Sequence, residues 1–490
     1  ESVPVGLQKQ LLVDDYVISE KQNITRELGK PQKKGVVMSY SVPTDFHPTK
    51  KFPFGLPKTG YHGIGYRTTV LWNEQQKKFQ MMYRASAENL TGYAESIDGI
   101  NWTKPFIADD GKSNLITYRG KKQGTFYEAS FMIDPTVPWG HPEKYKAAYN
   151  PGNTMCAIAY SADGIHWTGY NDGKSVTGRA ADTHNQILYD PPGNRYLLLT
   201  RTDLGSEGGL TEDRATRIMA HDKGNDLHRY PKAWNTLATV TVDDSQGRKT
   251  SSGVAEHQME AMTLWIYENV YFGLMRVLTV GELTGAEGTV SVADNDKRPE
   301  ADVIDFYIGT SRDAVNFDRT WIHARKPLIE RGDTGSFDMA MVMATSEIIT
   351  RGDEHWIFYQ GEDTRHHGAE SSKSKGGQIG LAKLPLDRFI SQGAGDKLGT
   401  ITTKPFVLEG NTLQVNVDAG DGRFYAEILD ADGKPIPGFT IKEARIFGGI
   451  DQLRLEPWWK GQKDLSSLKG RTIRLKFYLE NAKLFAFQIK

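Results

Sequence analysis

A seven-residue phrase recurs along this chain of 490 residues and constrains its fold more than any other feature. It reads Ser96-Ile97-Asp98-Gly99-Ile100-Asn101-Trp102 and again Ser161-Ala162-Asp163-Gly164-Ile165-His166-Trp167. A degenerate copy stands at Ser311-Arg312-Asp313-Ala314-Val315-Asn316-Phe317, and His221 to Leu227 reads as a fourth. Asp-Gly suits a tight turn between antiparallel strands, and the aromatic that follows would pin the turn to the sheet. Self-similarity of this kind marks a repeat architecture.

Beside the copies runs a second theme: a strand, a polar turn and an aromatic-rich strand. Thr69–Trp72 with Phe79–Tyr83 begins the series. Ser130–Asp134 with Tyr145–Tyr149 and Gln186–Asp190 with Arg195–Thr200 continue it. Met262–Tyr267 with Val270–Met275 and Ser346–Thr350 with His355–Tyr359 complete it. Five units of about four short strands each predict an all-β chain, a five-bladed β-propeller over residues 1–395. From Leu398 the pattern turns to strict alternation, as in Leu413-Gln414-Val415-Asn416-Val417, with Asp-Gly turns at 421–422 and 432–433. A small β-sandwich is expected over 398–490. Leu11-Leu12-Val13 before Asp14-Asp15 is expected to end a strand that closes the propeller.

Composition narrows the function. Sixty basic against sixty-one acidic residues give a net charge of −1, which argues against nucleic acid and against an anionic membrane surface. No apolar run reaches the roughly 20 residues that a membrane-spanning helix needs. The single Cys156 allows no intrachain disulfide and no cysteine zinc site. The chain opens on Glu1-Ser2-Val3-Pro4 and is read as the mature form of a secreted or periplasmic protein.

In a propeller the innermost strand of each blade begins near the axis, so residues at those starts line a central pocket. They are His62, Tyr66 and Arg67; Tyr127 and Glu128; Asp182, His184 and Asn185; Glu256, His257 and Glu260; and Asp338. Glu128, Asp182, Glu256 and Asp338 are the candidate catalytic carboxylates, and the other eight are candidate substrate contacts. Paired carboxylates across a pocket suit glycosidic cleavage, one protonating the leaving oxygen and the other activating water or attacking carbon. Glu256 or Glu128 is the expected acid, and Asp182 or Asp338 the expected base or nucleophile. His62, His184 and His257 are the set that would hold a divalent ion on the axis; Glu362 with His366 and His367 is a weaker metal set. No other cofactor is expected. Two alternatives stay open: a polysaccharide lyase using Tyr66, Arg67, His184 and His257 on a uronic acid, and a non-catalytic carbohydrate-binding protein. The oligomeric state is open too.

The order of motifs resembles that of a bacterial group similar to glycoside hydrolase families 32 and 43. The resemblance rests on Gln10–Ile18, Tyr93–Trp102, Asp182–Asp190, Thr310–Asp313, Thr403–Phe406 and Asp430–Phe439, and so spans nearly the whole chain. It implies a five-bladed propeller with a carbohydrate pocket on its axis, followed by a β-sandwich. Better-known members carry an Asp on the first blade, where this chain has His62-Gly63-Ile64-Gly65-Tyr66-Arg67. The expected activity is hydrolysis of plant or algal polysaccharide at chain ends.

Overall fold

The computed structural model describes residues 2–45, 64–85, 90–119, 126–178, 184–204, 213–224, 226–242, 257–279, 303–365 and 376–490. It is nearly all β; the one α-helix among the described residues is Thr320–His323. Among the described residues no helix is long and apolar enough to cross a membrane.

Among the described residues, five sets of largely antiparallel strands follow one another as units, the last two within one eight-stranded sheet. The first is Ile64–Asn73, Lys78–Ala85 and Leu90–Ser96, and the second Tyr127–Ile133, Tyr145–Asn150, Ala157–Ser161 and His166–Gly169. The third is Gln186–Asp190, Arg195–Leu204, Asp213–His221 and Trp234–Val240. The fourth is His257–Tyr267, Val270–Thr279 and Val303–Ser311. The fifth is Met341–Ala344 with Ile349–Arg351, then Glu354–Glu362, Gln378–Pro385 and Gln32–Met38. A single parallel pair, Ile304 with Met341, joins the fourth and fifth.

The recurring phrase begins on the last residue of the third strand of a unit, and its chemistry is local. Asp98 Oδ1 accepts the amides of Ile100 (2.8 Å) and Asn101 (2.7 Å). Asp163 takes those of Ile165 and His166, both at 2.8 Å, and Asp313 those of Val315 and Asn316, both at 2.8 Å. These bonds favour the charged form: those from Asn316 and Val315 overcome burial and bring Asp313 down to about 2. The indole N–H of Trp167 closes the turn on Gly164 O at 3.0 Å, as that of Trp102 does on Gly99 O at 3.1 Å. Gly99 and Gly164 take φ of 74° and 79°, where L side chains are strained. The third copy puts Ala314 there at φ 61°. Ala314→Gly should therefore raise stability by about 1 kcal/mol, checked as a rise in denaturant midpoint.

A second repeated device ties neighbouring units. A residue at or just past the end of the first strand of one unit bonds a tyrosine in the first two positions of the second strand of the next. Asn73 Nδ2 donates to Tyr145 OH (2.9 Å), Tyr196 OH to Asp134, and Tyr271 OH to Asp190 Oδ1 (2.6 Å). All three acceptor–donor pairs are buried. Tyr271→Phe keeps the packing and removes one bond, so it should cost about 1 kcal/mol in the same measurement. Between the fifth and first units a stack of rings takes over: Phe79 on Trp356 at 5.5 Å, capped by Lys383 and by Arg351 over Trp72.

Thr117–Arg119 adds a parallel strand to the second unit against His166–Gly169, and the remaining described strands form one ten-stranded sheet. Leu413–Asp430 lies centrally, paired first with Ala482–Ile489 and then with Thr472–Glu480, with a register break between Ala419 and Arg423. Three N-terminal strands, Gln10–Leu11, Ile18–Gln22 and Thr25–Leu28, belong to this sheet, as do Ile390–Ala394 and Gly399–Thr403. The expected break at 395–398 thus falls between two of its strands.

The strand expected to close the propeller does not do so. Gln10 and Leu11 pair with Phe487 and Ala486, and the fifth unit is completed by Gln32–Met38 against Gln378–Pro385. The physical reason is two-sided burial. Leu12 packs in the core of the ten-stranded sheet, while Leu11 and Val13 pack in the core of the fourth and fifth units. Asp14 is held at that seam by the Arg312 guanidinium at 2.9 Å.

Candidate active site

The first strands of the five units meet in a polar hub. Phe131 N donates to Thr69 Oγ1 at 3.3 Å, and the Thr69 and Ser346 hydroxyls are hydrogen-bonded at 2.7 Å. Ser346 N donates to Thr68 O at 3.2 Å. Gln186 Nε2 donates to Ser346 O (3.0 Å) and Leu264 O (2.9 Å), while Gln186 Oε1 accepts Leu264 N (2.7 Å). Thr263 Oγ1 donates to Thr345 O at 3.2 Å. With the tyrosine tie between the second and third units, bonds pass round all five.

Beside this hub, three first strands depart from regular pairing at matching places. In the first unit, residues 66–68 oppose Tyr83 alone. In the second, Glu128 and Ala129 oppose Tyr149. In the fourth, Glu260 is the extra residue between Met259 and Ala261. Bulges of this kind re-aim side chains and gather near active sites. The first is also strained: Arg67 is buried with φ 76°.

Buried polar atoms lacking a hydrogen-bond partner mark the same places. Thr68 Oγ1 lies in the first bulge, Ser130 Oγ directly after the second, and Glu260 Oε2 is the third. A buried polar atom left unmet costs about 1–3 kcal/mol, so a cluster of them is where bound water or ligand hydroxyls would be taken up.

Arg276 organises the group from the second strand of the fourth unit. Only 1% exposed, it donates through Nε (3.2 Å) and Nη2 (2.7 Å) to Ala344 O. Nη2 also reaches His184 Nδ1 at 3.0 Å, and Nη1 lies 3.9 Å from Glu260 Oε2. A guanidinium only donates, so His184 Nδ1 accepts and the ring proton stands on Nε2, 3.0 Å from Ser346 Oγ. Burial, with Arg276 and Arg67 adding to it, holds His184 well below the usual imidazole range. It is neutral, and neither nitrogen is free to abstract a proton or to ligate a cation.

Of the other expected residues, Asn185 is buried beside His184, and His257 faces the Arg325 guanidinium. Asp338 is not hydrogen-bonded to this group; its carboxylate is held by Lys33 at 2.6 Å and Tyr359 OH at 3.1 Å. His62, Asp182, Glu256, His366 and His367 lie outside the described residues, as do the side chains of Tyr66, Tyr127 and Glu128. No three His, Cys, Asp or Glu among the described residues are placed to hold a metal. Sequence reasoning missed Arg276, Ser346 and Gln186. The signal for Arg276 was a cation inside the apolar run Leu274-Met275-Arg276-Val277-Leu278.

No family model matches the chain, and no curated protein sequence matches it. Among solved structures it is similar to an N-acetylgalactosamine deacetylase from F. plautii (13% identity, 73% of this chain and 96% of that one, TM-score 0.44). It is also similar to an exo-inulinase from Aspergillus awamori (12% identity, 91% and 98%, TM-score 0.39). A third is the GH32 β-fructofuranosidase BmSUC1 of Bombyx mori (11% identity, 91% and 93%, TM-score 0.39).

Proposed function

We propose that the chain is a secreted or periplasmic glycoside hydrolase: a five-bladed β-propeller whose axial pocket holds the end of a plant or algal glycan, followed by a β-sandwich. The observation that carries the reading is Glu260, a buried carboxylate on a bulge, one oxygen without a hydrogen-bond partner, beside Arg276. Glycosidic cleavage needs such a carboxylate opposite a second one. Glu260 therefore moves from substrate contact to catalytic candidate. Its partner is sought among Glu128, Asp182 and Glu256, which follow the same axial pattern in the sequence. Asp338, already paired with Lys33, is the weaker choice. Thr68 and Ser130 would receive sugar hydroxyls.

The test is hydrolysis of a panel of 4-nitrophenyl glycosides and plant and algal oligosaccharides by the full chain. Glu260→Gln and at least one of Glu128→Gln, Asp182→Asn and Glu256→Gln should lower the rate by about 10²–10⁴-fold. Undiminished rates in all four overturn the reading. Retention of an oligosaccharide that the wild type never cleaves would decide for a binding protein.

A further inference from the structure

One copy of the recurring phrase does more than close its own turn. Where the first and third copies carry Asn101 and Asn316, the second carries His166. Each asparagine gives one side-chain bond, Nδ2 to Oδ2 of Asp98 or Asp313, both at 2.7 Å. His166 Nδ1 makes the same bond to Asp163 Oδ2 at 2.7 Å, and its other nitrogen reaches further. Nε2 lies 3.1 Å from Asp109 Oδ1, on the segment that crosses from the first unit to the second. A carboxylate only accepts, so both contacts are hydrogen bonds when both ring nitrogens carry protons. The geometry is that of an imidazolium.

The crossing segment leans on this contact. Lys104 is bound to Ser39 O (2.7 Å), and Asn114 to Tyr83 OH (2.8 Å) and Tyr93 O (3.0 Å). Between those anchors the loop bonds to itself, Ala108 N to Ser113 O and Gly111 N to Ala108 O. Ile107 packs on the core shared by the first and second units. Among the described residues, Asp109 to His166 is the one hydrogen bond from 105–113 to another part of the chain.

We propose that His166 is a proton-operated clasp: as the imidazolium it holds the 105–113 loop onto the second unit, and as the neutral ring it releases Asp109. The inference does not depend on what the axial site binds. A neutral imidazole keeps one N–H. The Asp163 bond is the shorter one and repeats in the asparagine copies, so the proton that stays is on Nδ1. Nε2 then turns a lone pair toward the Asp109 carboxylate, and the contact becomes repulsive.

The charged and titratable groups on the elements packed against His166 come from four places. They are Asp163 in its own turn, Tyr160 on Ala157–Ser161, Tyr118 and Arg119 on Thr117–Arg119, and Asp109, Asp110 and Lys112 in the loop. Among the described residues the two aspartates Asp163 and Asp109 are those that meet its nitrogens. The Asp163 bond first, and Asp109 after it, raise the imidazole above its ordinary 6.5 against the opposing pull of burial. The folded chain therefore holds this proton more tightly than the unfolded one. The clasp's contribution is fully present below pH 6.5 and is lost as pH rises through the higher native value. Both carboxylates are about half exposed, so the gain is that of a surface pair, about two- to fivefold in equilibrium constant.

The experiment follows the full chain from pH 5 to 9 by NMR of ring-labelled histidine. His166→Asn identifies the signal by its loss and supplies the turn of the other copies. His166 should titrate above 6.5, and Asp109→Asn should lower that value while leaving the Asp163 bond in place. In parallel, amide exchange at Ala108 and Gly111 is compared between the wild type and His166→Asn. At pH 5 the two amides should exchange about two- to fivefold more slowly in the wild type, and by pH 9 the two proteins should converge. A ring that titrates at or below 6.5, or one that Asp109→Asn leaves unmoved, overturns the proposal. So does an exchange ratio that stays the same at every pH. No readout is an activity, so failure here is separate from failure of the glycosidase reading.

Discussion

Asp134→Ala should lower stability by about 3–5 kcal/mol, seen as a large fall in denaturant midpoint. Asp134 is fully buried and receives both the Lys146 ammonium and Tyr196 OH. Burial alone would push its carboxyl up, but the Lys146 charge and its hydrogen bonds outweigh this and hold it below the usual carboxylate range. Lys146, whose side chain is 2% exposed, would keep Glu143 O at 3.2 Å, the Glu143 carboxylate at 3.8 Å and the Tyr196 ring at 5.5 Å. The cost is thus mainly that of an ammonium stranded away from water, not of one lost bond. Asp134→Asn can still accept from Tyr196 and should fall between the wild type and Ala. Because the native carboxyl titrates below its unfolded value, its contribution is present above the ordinary carboxylate range and fades as the medium is acidified through the native one. A loss under about 1 kcal/mol for Asp134→Ala would mean that water reaches Lys146 and that the tie between the second and third units is dispensable.

Much of the fold was legible because its signals are local. Ser-x-Asp-Gly carries its own capping bonds within four residues, so the phrase announces its turn wherever it stands. The tie between units is legible in retrospect: Asn73, Asp134 and Asp190 stand at or just past the ends of three first strands, and Tyr145, Tyr196 and Tyr271 within two residues of the start of the second strands that follow. Pairing between the two ends of the chain was not legible. Gln10 meets Phe487 across nearly the full sequence, and Leu11-Leu12-Val13 looks the same whichever cores receive it. The bulges were hidden for a related reason. A bulge is a count of residues against a partner strand, and no single strand records that count. Glu260 could therefore be placed at the axis by residue type, whereas its bare oxygen became visible only against Val277 and Arg276. His184 shows the converse. A histidine at a strand start reads as a base or ligand until its two nitrogens are seen facing a guanidinium and a serine.

Arg276→Met should cost about 3–5 kcal/mol as well, and Glu260→Gln in the same chain should recover part of it. Methionine fills much of the arginine's space but donates nothing. Ala344 O loses both guanidinium bonds, and His184 Nδ1 loses the donor that fixes its tautomer. Glu260 loses the cation 3.9 Å away while remaining 3% exposed, a buried carboxylate that already has one unbonded oxygen. Replacing that carboxylate by an amide removes the charge and leaves the shape. If the two groups interact, the double mutant will be more stable than the sum of single losses predicts, by about 1 kcal/mol or more. His184 supplies an independent reading of the same substitution. Burial will still disfavour its cation, but one of the two positive neighbours will be gone, so its titration should move up toward the ordinary imidazole value, measurable by NMR. Additive single losses with an unmoved His184 would place Arg276 in the hub alone, uncoupled from Glu260.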